Sequence, residues 1–128
     1  MASQHILALI SDLFFSSRVG STLQALGYRV TLVEAADAYP ETAFFSAALA
    51  ADQTALVILD LNAPLPWADW LAAAKADPVT ASIPWLAFGS HKETEKLAAA
   101  KRAGAERVVA RSKFSAELPD LVRALVDN

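Results

Sequence analysis

The chain has 128 residues and a formal net charge of -3, with a pI near 5.2; residues 1–128 suit one domain. With 55% hydrophobic and 20% charged residues and a mean hydropathy of +0.32, it can bury a substantial core, which argues against disorder. The absence of cysteine excludes disulfides, thiolate catalysis and cysteine-ligated metal, and the mild acidity lacks the basic footprint of a nucleic-acid binder.

The first apolar run, Ile6 to Ile10, reads as a strand covered on both faces. It is too short for a secretory signal and lacks a basic flank. No stretch approaches the roughly 20 apolar residues of a bilayer span, so a cytoplasmic protein without membrane contact is expected. Phe15, Val19, Leu23 and Leu26 then fall at helical spacing, and Gly27 stands where a helix commonly ends. Tyr28 to Val33 reads as a second strand. A second helix opens near Pro40, with Phe44, Ala47, Ala48 and Ala51 as its apolar stripe.

Ala55 to Leu59 is a third, wholly apolar strand that stops at Asp60. After Pro64 and Pro66, residues Trp67, Trp70, Leu71 and Ala74 share one helical face, closed by Asp77-Pro78. Ile83 to Phe88 is the fourth strand, and Gly89-Ser90 ends it. Lys92 to Ala103 forms a charged helix stopped by Gly104, with Lys92/Glu95 and Glu93/Lys96 at i,i+3 spacing. Arg107 to Ala110 is the fifth strand. Ser115 is placed to cap a last helix whose core face is Leu118, Leu121, Val122 and Leu125, with Pro119 in its first turn.

Strict alternation of five strands with five helices predicts a parallel sheet wrapped on both faces, a three-layer α/β sandwich. Sites in such sheets lie at the carboxyl ends of the strands. The positions there are Ile10, Ser11 and Asp12; Asp60 to Asn62; Gly89 to His91; and Arg111 to Lys113.

From His5 to Val126 the chain resembles a response-regulator receiver domain of the CheY-like family. Leu56 to Pro64 (LVILDLNAP), Ala76 to Phe88 (ADPVTASIPWLAF) and Ala103 to Ser112 (AGAERVVARS) carry the resemblance, in order and at suitable spacing. It implies a doubly wound, flavodoxin-like (βα)5 fold with strand order 2-1-3-4-5. It also implies a site in which two adjacent acids and a phosphoacceptor aspartate hold Mg²⁺, a hard cation that takes oxygen ligands, while a Thr or Ser and a Lys bind the phosphoryl oxygens.

This chain keeps that pattern in part. Asp60 matches the phosphoacceptor, and Asn62 the residue whose backbone carbonyl ligates metal. Ungapped, Ile10 and Ser11 occupy the acid-pair positions and Asp12 follows; one residue later, Ser11 and Asp12 occupy them. Either way at least one metal-site carboxylate is absent. Gly89 stands for the switch hydroxyl with Ser90 beside it, Val108 for the switching aromatic, and Arg111 for the lysine, with Lys113 as a substitute.

Three readings follow. In the favoured one the chain is a pseudo-receiver: an incomplete phosphorylation site, Asp60 clamped by the Arg111 guanidinium, and signalling through protein contacts. Asp12 is then a solvated acid favoured by the dipole of the first helix, and the chain is not an enzyme. Its partners are a histidine kinase, a downstream effector, or a second copy bound through the face of helix four, strand five and helix five. The alternative is a working phosphoreceiver, with Mg²⁺ held weakly by Asp12, Asp60 and Asn62. The third, a small cofactor binder, lacks phosphate-cradling glycine loops, since the chain has only four glycines.

Overall fold

In the computed structural model, which describes residues 3–127, the five apolar runs become strands because their side chains alternate between two faces, each covered by helices. The elements in chain order are β1 (His5–Leu9), α1 (Leu13–Ala25), β2 (Arg29–Val33), α2 (Thr42–Ala51), β3 (Thr54–Asp60), α3 (Trp67–Ala76), β4 (Trp85–Gly89), α4 (Thr94–Ala103), β5 (Arg107–Ala110) and α5 (Arg111–Val126). All ladders are parallel, in the order β2-β1-β3-β4-β5. This is the expected CheY-like α/β fold. No helix among the described residues is long and apolar enough to cross a membrane.

One core layer joins Leu7, Leu9, Val57, Leu59, Trp85 and Ala87 of the sheet to Phe45, Leu49, Trp70 and Leu71 of α2 and α3. The other joins Ile6, Ala8, Ile10, Ile58, Leu86 and Phe88 to Phe15, Val19 and Leu23 of α1 and to Phe114, Leu118 and Val122 of α5. Gly27, at φ +96°, ends α1: its N–H donates to the Gln24 carbonyl and the Tyr28 N–H to the Leu23 carbonyl. That pair of bonds needs a left-handed residue between them.

Three expectations are corrected. The apolar stripe of α2 is Phe45 and Leu49, with Ser46 also buried, while Phe44 is 53% exposed. In an alanine-rich helix the small side chains define no face. The Phe45 ring sets the rotation by stacking on Trp70, with centroids 4.9 Å apart. Leu26 lies beyond the end of α1, as its exposed C-cap residue. Ser115 caps nothing: α5 starts at Arg111, directly after β5, and kinks at Glu117 (φ −121°, ψ 20°). Pro119 thus falls in the first turn after the kink, where its missing N–H breaks no bond.

Candidate functional site at the carboxyl edge of the sheet

Because all five strands run the same way, their carboxyl ends share one edge, and the β3–β4 ladder sets Asp60 beside Phe88. Asp60 is 3% exposed, and its Oδ1 accepts the Asn62 backbone N–H at 2.9 Å. Burial disfavours the charged carboxylate and lifts its pKa above the ordinary value. The Asn62 amide and the Arg111 charge oppose the rise, while Asp12 and Glu93 add to it.

The acid-pair positions are divided between core and surface. Ile10 is fully buried, Ser11 is half-buried and Asp12 is exposed. Asp12 is the N-cap of α1, its Oδ1 accepting the Phe15 backbone N–H at 3.1 Å. The capping bond places Asp12 at the exposed start of the helix.

Arg111 does not clamp Asp60 as a bidentate partner. Its guanidinium lies over the Phe15 ring, 4.1 Å from the centroid, with Phe88 at 5.9 Å, and its Nη2 stands 4.0 Å from Asp12 Oδ2. The aromatic faces of α1 and β4 hold the planar cation, leaving Asp60 only its longer-range field.

Gly89, the last residue of β4, is buried. A Cβ there would meet Leu61 and Leu97 at 3.5 Å, so apolar groups wall the place of the switch hydroxyl. The Ser90 Oγ accepts the Lys92 N–H at 3.2 Å, a turn at the approach to α4. Val108 packs half-buried against the α2–α3 core layer. His91 is exposed. His5 lies buried at the opposite, amino edge, its ring nitrogens bonded to Thr54 Oγ1 at 3.0 Å and Thr31 Oγ1 at 2.8 Å.

Two residues at the site mouth escape the sequence reading. Lys96 Nζ donates to Asn62 Oδ1 at 3.3 Å and pairs with Glu93 Oε2 at 3.1 Å. The Glu93/Lys96 spacing is visible in the sequence as a helix-surface pair; its reach to Asn62 depends on how α4 docks. Among the described residues no group of three or more His, Cys, Asp or Glu is placed to hold a metal ion.

No family model matches the sequence, nor does any curated protein. Solved structures do. The chemotaxis protein CheY4 of Vibrio cholerae superposes with a TM-score of 0.77 at 19% identity, over 97% of this chain and 99% of that one. The receiver domain of the Pseudomonas aeruginosa sensor histidine kinase PA1611, solved with a magnesium ion coordinated in its active-site cleft, gives 0.79 at 20%, over 99% and 100%. The signal receiver domain of the DNA-binding response regulator merR from Colwellia psychrerythraea gives 0.80 at 18%, over 98% and 100%. At these identities the likeness shows a shared fold.

Proposed function

We propose that the chain is an atypical receiver domain of two-component, phosphorelay signalling, which acts through protein–protein contacts rather than as an enzyme. One observation carries this reading: Asp60, the phosphoacceptor equivalent, is the one buried acid among the described residues, and the nearby guanidinium is engaged elsewhere. Attack on a phosphoryl group needs an ionised carboxylate and positioned positive charge. Here burial makes the ionised carboxylate costlier, and Gly89 supplies no hydroxyl.

The donor set also fits Mg²⁺ poorly. Ile10 offers no oxygen side chain, Asp12 gives one oxygen to the Phe15 N–H and turns the other toward Arg111, and Asp60 accepts from the Asn62 amide. A near-octahedral oxygen shell would need these groups to rearrange. The contact surface of this reading is the face of α4, β5 and α5, where Lys101, Arg107 and Lys113 are exposed. A histidine kinase, a downstream effector or a second copy would bind there.

The test is incubation with Mg²⁺ and acetyl phosphate or beryllofluoride, followed by intact-mass and amide chemical-shift measurements. The expected result is no stoichiometric adduct and no shift spreading from Asp60. An adduct at Asp60 would instead establish a phosphate-accepting receiver, the reading in which Asp12, Asp60 and the Asn62 carbonyl hold Mg²⁺.

A further inference from the structure

Charge is divided across the sheet. Residues 30–74, following the exposed Arg29 that opens β2, hold six acids, one of them the buried Asp60, and no Lys or Arg, whereas Lys101, Arg107 and Lys113 line one open groove along the backbone of β5. The strand order puts β2 and β5 at opposite edges. Glu34, Asp37 and Glu41, in the connection from β2 to α2, are all exposed. Among the described residues none of these six charges has an ion-pair partner. Glu106, the one acid lining that groove, is already engaged by Lys75 and by the Trp85 N–H. Each edge strand also leaves one side of its backbone outside the ladder.

We propose that the basic β5 edge of one copy docks on the acidic flank beside β2 of a second copy, making a head-to-tail contact. It rests on the reading of the α4–β5–α5 face as a contact surface, and adds the occupant and its polarity. A symmetric contact centred on this groove would set Lys101, Arg107 and Lys113 against the same cations, and like charges across an interface disfavour that pairing. A head-to-tail contact leaves one basic edge and one acidic flank free at the ends, so it extends beyond two copies unless the rotation closes a ring.

Sedimentation velocity and light scattering across protein concentration, in about 50 mM and about 500 mM salt, test this, because screening between exposed charges steepens over that range. The average mass is expected to climb past the dimer at low salt, with apparent association at least ~10-fold weaker at high salt. Two sets of charge-removing substitutions locate the contact: Lys101→Gln with Arg107→Gln and Lys113→Gln, and Glu34→Gln with Asp37→Asn and Glu41→Gln. All six positions are exposed, and circular dichroism checks that the fold is kept. Each variant alone is expected to be monomeric. Their equimolar mixture should form a one-to-one dimer that grows no further, since one supplies the native acidic flank and the other the native basic edge. A wild-type dimer lost with the basic set but indifferent to the acidic set would overturn the head-to-tail contact while keeping the face as an interface. A wild type that stays monomeric at every concentration would overturn the contact and leave the beryllofluoride result to judge the pocket on its own.

Discussion

Asp60 is held buried at the end of β3 against a carboxylate's preference for water, and Asp60→Asn is therefore expected to stabilise the protein. Asparagine keeps the Oδ1 that accepts the Asn62 N–H and discards the buried charge; a gain on the order of 1 kcal/mol is expected in urea melts near neutral pH. Arg111→Ala should cost only about 0.5–1 kcal/mol, the worth of a guanidinium on an aromatic face. It should also raise the Asp60 pKa further, because the Arg111 charge lowers it; carbonyl chemical shifts followed against pH would show this. A clamped Asp60 would give the opposite result for the first variant, a loss of stability. The position of Asp60 was legible in the sequence, since an apolar run that stops at an acid marks a strand end. The resting place of the Arg111 guanidinium was not, because a long flexible side chain goes where Phe15 and Phe88 offer it a surface, and those rings come from two other elements.

Between elements, Lys75 ties the end of α3 to the entry of β4 and the approach to β5. Its Nζ donates to the Ala81 and Ile83 carbonyls at 3.2 and 3.1 Å and to Glu106 Oε2 at 2.7 Å, while Glu106 Oε1 accepts the Trp85 N–H at 2.9 Å. Lys75→Met removes three acceptors' partner at once and leaves Glu106 without its cation. A loss of about 1–2 kcal/mol in urea melts is expected, with a smaller loss for Glu106→Gln, which still accepts from Trp85. Periodicity alone does not single out Lys75, since a basic residue in the last turn of a helix is ordinary. The strands were legible because burial on both faces writes a continuous apolar run. The rotation of α2 was not, because its alanines carry too little surface to choose a face, and the choice belongs to the contact between Phe45 and Trp70.

For the molecule as a whole, two buried titrating groups act in opposite senses. Burial lowers the His5 pKa from 6.5, so below that value the unfolded chain takes up a proton that the fold resists; stability falls as pH drops through 6.5 toward the folded value. Asp60 has its folded pKa above 3.8, so its neutral form favours the fold, and that contribution is lost as pH rises through the window above 3.8. The advantage of Asp60→Asn over wild type should accordingly be largest near pH 8 and shrink on acidification, as thermal melts at several pH values would record. The layered architecture was legible from alternation alone, whereas the partition of charge between the sheet edges emerges only once the strand order is known. The two core layers also differ in their light. All three tryptophans, Trp67, Trp70 and Trp85, belong to the layer under α2 and α3, and the opposite layer is built on phenylalanine stacks such as Phe88 on Phe114. Intrinsic fluorescence therefore watches one side of the sheet and is nearly blind to the other, so loosening of α1 and α5 would pass unseen by emission and show first in the ellipticity of the helices.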